Sequence, residues 1–348
     1  MDFSIAAILA QDGVTSGAIY ALLALALVLV FSVTRVIFIA QGEFVAYGAL
    51  TLAALQSHSF PHSATLLAGL GLAAFLQELA GLRVYTGGGV LRKLTLSFVK
   101  FIVLPATLYT LCKLTDSITS PLLQVLLALA IVVPMGPLVY RLAFAPLAEA
   151  STLVLLIVSV GVHFALLGCG LLMFGAEGAR TTAFSQAHID IGALQISGQS
   201  LVIVGVAAGL IVALYLYFEH TLAGKALRAT AVNRRGAQLV GIGTAQAGRA
   251  AFTLAAGLGA LSGVLIAPLT TVYYDSGFLI GLKGFVGAII GALGSYPIAA
   301  AGALLVGLLE SYSSFWASAF KEVNVFTLII PVLLWRSLNS KPADEEGH

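Results

Sequence analysis

Residues Phe218–Val264, FEHTLAGKALRATAVNRRGAQLVGIGTAQAGRAAFTLAAGLGALSGV, place a compact basic segment between two long apolar stretches. Five of the chain's 17 Lys and Arg residues fall here: Lys225, Arg228, Arg234, Arg235 and Arg249. Basic residues beside membrane-spanning helices mark the side that stays in the cytoplasm. The pattern therefore predicts two transmembrane helices joined by a cytoplasmic loop, residues 219–249, that is long enough to dock a soluble partner.

The composition of the whole chain favours a membrane protein. Of its 348 residues, 59% are hydrophobic and 9% are charged, and the mean hydropathy is +1.03. A soluble core of this size cannot bury so much apolar surface. The net charge of +2 is too small to indicate a nucleic-acid partner. Close helix packing is favoured by glycine pairs at GxxxG spacing, which are Gly13/Gly17, Gly205/Gly209, Gly259/Gly263 and Gly287/Gly291.

The apolar stretches predict an all-α, polytopic transmembrane helical bundle of about 11 spans (range 8–11), formed as a single domain by residues 1–348. A bilayer core of about 30 Å needs about 20 helical residues, and several stretches meet this length while others fall short. The turn signal Gly294-Ser295-Tyr296-Pro297 divides the run 284–309 into the ends of two helices. The other predicted spans are 13–34, 44–56, 62–80, 95–112, 121–140, 151–174, 199–218, 250–274 and 325–338.

The distribution of basic residues predicts the orientation. If residues 219–249 are cytoplasmic, alternation of the spans places residues 35–43, 81–100, 141–150 and the C-terminus on the same side. These segments hold 13 of the 17 Lys and Arg residues. The asymmetry predicts an N-terminus outside and a cytoplasmic C-terminus, with residues 175–198 as the longest outer connection.

Four stretches carry a family resemblance: SGAIYALLAL at 16–25, AQGEFVAYG at 40–48, and the longer and more specific stretches 222–263 and 277–307. They resemble the LivH-type permeases of branched-chain amino-acid ABC importers, and the likeness covers nearly everything except residues 60–120. The resemblance implies the ABC importer permease fold and a multi-pass location in the bacterial inner (plasma) membrane. It also implies that the chain imports a branched-chain amino acid or a related small solute such as an amide, urea or an organic acid.

The resemblance further implies an assembly. Its members would be a second, LivM-like permease subunit, which forms the pathway together with this chain, two ATP-binding subunits and a periplasmic solute-binding protein. Membrane lipid would surround the assembly, and a small-molecule substrate would pass through it. The chain itself is predicted not to be an enzyme, because Gly224-Lys225 is followed by Ala226 and no GxxxxGK[ST] motif occurs. No cofactor and no metal site are expected.

The basic loop is the candidate element that receives force from the ATPase. The apolar residues of 229–242 (Ala231, Ala237, Leu239 and Val240) could bury against a partner, and Lys225, Arg228 and Arg235 fall near one helical stripe. Gly241 predicts a helix C-cap. The alternative is that the basic stripe only holds the loop against anionic lipid. The candidate coupling residues, four of them implied by the resemblance, are Arg228, Ala231, Asn233, Arg235, Gly236 and Gly241.

Charged residues within the apolar stretches are the second functional signal. An ionised side chain at a helix centre costs about 2.5–3.5 kcal/mol on insertion scales, so Glu43, Lys283 and Glu310 need partners or water. Glu43 and Lys283 precede similar short sequences, which hints at an internal repeat with both charges at equivalent helix starts. Gln41, Glu43 and Lys283 are therefore candidates for the translocation pathway. Alternatively, the charges lie at membrane edges or form structural ion pairs.

Two departures from the family pattern leave questions open. Family members often read Asn-Phe-Ala-His-Gly-Glu where residues 38–43 read FIAQGE, so a cargo other than leucine, isoleucine or valine stays open. Residues 62–120 are predicted to be a two-span insertion around the basic loop 83–100, used for lipid contact or for packing against another subunit. His163, alone in an apolar stretch, is predicted to be a packed, hydrogen-bonded histidine.

Two rival functions also fit the pattern. An autonomous channel or secondary transporter would use Glu43 and Lys283 to bind a small polar solute or to couple to an ion. A structural membrane scaffold would tolerate changes in the basic loop without loss of transport.

Overall fold

The computed structural model describes residues 3–82, 90–113, 120–191 and 194–339, and the regular structure in them is almost entirely helical. The helices of the first half are α1 (Phe3–Thr34), α2 (Gln41–Gln56), α3 (Ser63–Leu82), α4 (Val90–Phe98), α5 (Leu104–Lys113), α6 (Pro121–Val132), α7 (Met135–Val139) and α8 (Thr152–Phe174). Those of the second half are α9 (Gly198–His220), α10 (Leu222–Val232), α11 (Arg234–Leu239), α12 (Thr244–Ile266), α13 (Ser276–Ile290), α14 (Tyr296–Trp316), α15 (Lys321–Thr327) and α16 (Ile329–Asn339).

Short irregular helical segments and one hairpin complete the fold. π-helical turns lie at Val99–Val103 and Tyr140–Phe144, and 3-10 turns at Ala145–Leu147 and Ser318–Phe320. Strands β1 (His188–Ile191) and β2 (Leu194–Ser197) pair antiparallel within the predicted outer connection, with Ile189 opposite Ile196. In the described residues, nine helical segments are long and apolar enough to cross a membrane. The predicted polytopic helical bundle is therefore confirmed.

Helix α1 is the centre of the bundle. Its side chains are buried around most of its circumference, and it packs against α14, α12, α13 and α9. Glycines permit the close approach to α14, because a Cβ built at Gly17 would lie 2.9 Å from the Cα of Leu304. Three of the four predicted GxxxG pairs have such close neighbours. The pair Gly205/Gly209 on α9 does not, since nothing lies within 4 Å of a Cβ built at either position.

Helices α2 and α13 are shorter than the roughly 20 residues of a full span and begin inside the bundle, so we call them the half-helices. Helix α2 has 16 residues and α13 has 15. Helix α2 begins at half height: Nε2 of Gln41 donates to the carbonyl oxygen of Ala255, 2.8 Å away, and Ala255 lies midway along α12. Glu43 likewise contacts His163, which lies midway along α8. The predicted cytoplasmic placement of residues 35–43 is therefore wrong for Gln41 and Glu43, which lie inside the bundle.

The two half-helices run in opposite directions from this level. Helix α2 ends at Gln56, whose side chain accepts a hydrogen bond from the backbone N–H of Thr182 in the 175–198 connection. Helix α13 leads to the turn before α14, where Tyr296 packs 5.7 Å from the ring of Phe218 at the end of α9. A non-helical segment precedes each half-helix, residues 35–40 before α2 and residues 267–275 before α13. This segment and the half-helix together cross the bundle. The alternation of loops between the two ends is therefore preserved.

The ends of the bundle differ in charge. Arg35, Arg234 and Arg235 line one cavity of about 510 Å³, and Arg141 and Arg249 line a neighbouring one. We call this the basic end; it gathers residues from three of the segments predicted to share one side. The opposite end carries the 175–198 connection, where Arg180 donates to the carbonyl oxygen of Pro268. The start of α1 lies toward this opposite end, since Ser311 near the end of α14 donates to the carbonyl oxygen of Leu9.

Helices α3, α4 and α5 form a peripheral layer. Helix α3 packs against α5 and against the α6–α7 region of the core. In the predicted basic loop 83–100, residues 83–89 lie outside the described residues and residues 90–100 are helical, so the prediction of a loop is wrong for that part. Residues 114–119 also lie outside the described residues. The interpretation of residues 62–120 as an insertion into the family fold stays a prediction.

Candidate functional site

The starts of α2 and α13 meet at the centre of the bundle, which we call the central junction. A Cβ built at Gly42 would lie 2.7 Å from the carbonyl carbon of Gly277, and one built at Gly277 would lie 2.8 Å from the carbonyl carbon of Gly42. A Cβ built at Gly281, one turn further along α13, would lie 2.9 Å from the Cα of Gly42. Only glycine allows two helix backbones to approach this closely. Three glycines in the sequence therefore permit the close contact between α2 and α13 at the junction.

Polar side chains fill the junction. Oε1 of Glu43 lies 2.9 Å from Nδ1 of His163, and the imidazole stacks on the ring of Phe278 with 4.5 Å between centroids. Glu43 and Gln41 are 0% and 1% exposed. Oε2 of Glu43 and Oε1 of Gln41 are buried and accept no hydrogen bond from any residue that the structure describes. Buried polar atoms of this kind are costly, which makes the junction a candidate site rather than ordinary core.

The electrostatics of the junction are mixed. The N-termini of α2 and α13 both carry the partial positive charge of a helix dipole. Asp275 is the N-cap residue of α13, and its carboxylate is close enough to act electrostatically on Glu43. Asp275 is exposed, so the junction extends to the surface of the chain at that point. Two carboxylates, one imidazole and two helix N-termini therefore share one region at half height.

Lys283 lies outside the junction, in a separate charged cluster. Its Nζ lies 2.6 Å from Oε1 of Glu310 on α14 and 3.1 Å from Oε1 of Glu322 on α15. The hydroxyl of Tyr20 donates to the other carboxylate oxygen of Glu310 at 2.6 Å. Lys283 is the eighth residue of α13 while Glu43 is the third of α2, so the predicted equivalence of the two positions is wrong. The residues that match at the two helix starts are Gly42 and Gly277.

The basic loop forms two short helices, α10 and α11, rather than one. Leu227 of α10 is buried in a cluster with Leu29 and Val33 of α1 and Ala251 of α12, which anchors the loop to the bundle. Asn233 lies between the helices in an extended conformation, and its Oδ1 caps α11 by accepting from the N–H of Gly236 at 2.8 Å. The predicted stripe of Lys225, Arg228 and Arg235 on one helix is therefore wrong.

The predicted end of α11 is confirmed, and the exposed apolar residues differ in part from the prediction. Gly241 has φ +85°, and the N–H of Ile242 donates to the carbonyl oxygen of Ala237 at 2.9 Å, as expected of a glycine C-cap. Ala237 is buried within the chain, so its predicted availability to a partner is wrong. Leu239 and Val240 are 89% and 76% exposed.

The remaining candidate coupling residues lie around the same surface. Arg228 pairs with Glu219 on the exposed side of α10, and Ala231 is half-buried against the cluster that anchors the loop. Arg235 lines the 510 Å³ cavity together with Arg35. The neighbouring Arg234 donates to the carbonyl oxygen of Ala148 at 2.9 Å and thereby ties α11 to the turn before α8.

Comparison with known proteins identifies the family. The family model described as the branched-chain amino acid transport system / permease component matches residues 9–335. The chain belongs to this family. This permease is thus a multi-pass membrane transport component and not an enzyme.

Named relatives cover a large part of the permease. It is 30% identical over 217 residues to the high-affinity branched-chain amino acid transport system permease protein LivH of Escherichia coli (strain K12), which covers 60% of this chain and 70% of that protein. It is 28% identical over 248 residues to the corresponding protein BraD of Pseudomonas aeruginosa, covering 69% of this chain and 80% of that protein. A probable LivH permease of Methanocaldococcus jannaschii is 29% identical over 212 residues. No solved structure matches the chain.

The structure adds residues to the candidate site that the sequence did not single out. Asp275 and Phe278 join the junction, and Glu322 joins the Lys283 cluster. The available signal was the glycine at the second position of each half-helix, where Gly42 follows the polar Gln41 and Gly277 follows the polar Ser276. His163 was predicted to be hydrogen-bonded, which the structure confirms, and its partner is Glu43.

Proposed function

We propose that the protein is the permease subunit of an ABC importer in the bacterial inner membrane, and that it takes up branched-chain amino acids or a closely related small zwitterion. A second, LivM-like permease, two ATP-binding subunits and a periplasmic solute-binding protein complete the importer. The single observation that carries the transport role is the central junction, a polar centre at half height in an otherwise apolar bundle. Broken helices that meet at the membrane midplane are a recurrent way to build a solute site.

The chemistry of the junction suits an amino acid. The partial positive charge of the helix starts favours the α-carboxylate of a solute, and the carboxylates of Glu43 and Asp275 favour its α-ammonium group. Gln41 and Glu43 are the pathway residues in this proposal, while Lys283 has a structural role in the cluster with Glu310 and Glu322. The junction is closed around Glu43 in this conformation, so passage of a solute requires α2 and α13 to move apart.

The basic end faces the cytoplasm in this proposal, with the N-terminus outside and the C-terminus inside. The positive-inside rule supports this orientation. Residues 219–249 are then the cytoplasmic coupling loop. The exposed Leu239 and Val240, together with Asn233, Gly236 and Gly241 that shape α11, form the surface that docks on the ATPase.

Neutralising Glu43 tests the junction. We expect Glu43→Gln to lower ATP-dependent uptake of leucine about tenfold or more, because an attraction worth about 1.4 kcal/mol for the ammonium group is lost. The size of the side chain is kept, so the amount of assembled importer should be unchanged. Uptake is measured in proteoliposomes that contain the four kinds of subunit. Glu177→Gln removes the same charge from an exposed side chain of the 175–198 connection and serves as the control; equal uptake by the two variants would contradict the assignment.

Placing a charge on the coupling surface tests the docking of the ATPase. We expect Leu239→Asp to abolish co-purification of the ATP-binding subunits and ATP-dependent uptake, because a carboxylate would be desolvated in an apolar contact. Folding of the permease alone should be retained, since Leu239 is almost fully exposed. Ile189→Asp makes the same change on an exposed strand residue at the opposite end and should leave both readouts intact. Co-purification of the ATPase with Leu239→Asp at the wild-type level would contradict the proposed surface.

A reconstitution without partners separates the importer from its main rival. The purified chain alone should not move leucine across proteoliposomes, with or without ATP. Addition of the second permease, the ATPases and the binding protein should restore uptake that depends on ATP. Solute flux through the isolated chain would favour a channel or a secondary transporter instead.

A further inference from the structure

Three basic side chains from three different elements line one cavity between the peripheral layer and the core. Lys100 belongs to the π-turn Val99–Val103, Arg141 to the π-turn Tyr140–Phe144, and Arg249 to the first turns of α12. π-turns inside longer helices cost helical hydrogen bonds and are frequent at functional sites. The two π-turns in the described residues therefore each place a basic side chain, Lys100 or Arg141, at the same cavity.

The cavity has an apolar part and a polar part. The apolar part, about 120 Å³, is lined by Leu67, Leu104, Pro134 and Leu138 in addition to the three cations. The polar part, about 290 Å³, shares Arg141 and Arg249 with it and extends past Gln77 and Tyr140 toward the basic end. Two linked chambers of this kind match an amphiphilic ligand, with its head at the basic end and its tail along the slot.

The charge in the cavity is unbalanced. Glu78 pairs with Arg141, and in the part of the chain that the structure describes no carboxylate lies within ion-pair distance of Lys100 or Arg249. The ring of Phe101 holds two of the cations in place, with the Arg141 guanidinium 4.6 Å and the Lys100 ammonium 5.7 Å from its centroid. Nε of Arg141 is buried and donates to no described residue. The cluster thus retains two positive charges and an unused donor.

We propose that this cavity is a binding site for an anionic phospholipid, with the phosphate held by Lys100, Arg141 and Arg249 and an acyl chain along the apolar slot. Basic pockets between transmembrane helices on the cytoplasmic side are suited to such headgroups. A lipid is favoured over a free phosphate because the slot continues from the cations. Val99, Val103 and Leu104 at the slot are exposed apolar side chains, as expected where a membrane-spanning helix contacts lipid. The lipid would join α3–α5 to the transport core.

Lipid retention by the purified, full-length protein tests the site. We expect the wild-type chain to retain dioleoyl phosphatidylglycerol through detergent washing in native mass spectrometry, and dioleoyl phosphatidylcholine about tenfold less. The double change Lys100→Gln with Arg249→Gln should remove this preference. The double change Lys113→Gln with Arg180→Gln alters the charge equally at exposed positions away from the cavity and should keep it. Equal retention of both lipids by the wild type, or equal loss in both variants, would overturn the proposal.

Two further measurements keep the test decisive. A photoactivatable phosphatidylglycerol should label wild-type peptides that contain residues 99–105 or 134–141, so the result does not depend on the folding of a variant. Label confined to other helices would overturn the site. Glycerol 3-phosphate should raise the melting temperature of the wild type much less than phosphatidylglycerol does. An equal shift would show that a free phosphate ester suffices, which contradicts a lipid site.

Discussion

The change Gly42→Ala is expected to abolish uptake and to lower the yield of folded permease. The added Cβ would lie 2.7 Å from the carbonyl carbon of Gly277, and the obstructing atoms are backbone, which cannot rotate away. Overpacking of a close-packed core usually costs about 1–3 kcal/mol, and a clash between two backbones lies at the upper end. The starts of α2 and α13 would have to separate, which would disrupt the junction around Glu43. Thermal unfolding in detergent and uptake in proteoliposomes measure the two effects.

Two matched variants make this prediction specific. Gly277→Ala approaches the same contact from α13 and should have the same phenotype, because its Cβ would lie 2.8 Å from the carbonyl carbon of Gly42. Gly205→Ala makes the identical chemical change on α9, where nothing lies within 4 Å of the new Cβ. That variant should unfold at the wild-type temperature and transport normally. Wild-type stability and uptake for Gly42→Ala would show that the two half-helices do not meet in the functional protein.

The change Lys283→Met is expected to destabilise the permease by about 3–5 kcal/mol, because it leaves the carboxylates of Glu310 and Glu322 without their shared counter-ion. Lys283 itself is buried, so water cannot replace the ammonium group easily. The cluster ties α13 to α14 and α15, and its loss should release the C-terminal helices first. Hydrogen exchange of residues 321–339 and the midpoint of thermal unfolding measure this result.

A compensating change and a surface control test the physical cause. Lys283→Met combined with Glu310→Gln should recover much of the lost stability, since the more deeply buried of the two charges is then neutral. Arg228→Met breaks an ion pair whose partners are 57% and 47% exposed and should cost no more than about 1 kcal/mol. Equal destabilisation by Lys283→Met and Arg228→Met would contradict a buried structural cluster.

Local signals in the sequence were reliable where the structure is local. The turn predicted at residues 294–297 is present, since α13 ends at Ile290 and α14 begins at Tyr296. The glycine C-cap at Gly241 is also present. The break at Asn233 was missed, because Ala231, Val232 and Ala237 continue an apolar pattern across it. The sequence did contain a signal for this break, because asparagine is a preferred N-cap residue. The side chain of Asn233 accepts a hydrogen bond from the N–H of Gly236, three residues later.

The half-helices were missed for a different reason. Val36, Phe38 and Ala40 precede α2 in a non-helical segment and are all buried. Residues 35–43 were predicted to be a cytoplasmic segment between two spans, and the sequence could not reveal that this largely non-helical stretch is buried inside the bundle. Hydropathy reports which residues avoid water and not the depth at which a helix begins. The half-height start of α2 follows only from its contacts with α12 and α8.

The amino-acid sequence by itself determined that the chain is a polytopic membrane protein, that its basic residues are segregated, and where several helices end. These properties depend on transfer of single residues from water and on backbone preferences of neighbouring residues. Only the tertiary structure decided that Glu43 pairs with His163, 120 residues away, that Lys283 serves a separate cluster, and that Gly42 meets Gly277. Such contacts join residues far apart in the chain, so they depend on how whole helices pack and not on any local pattern.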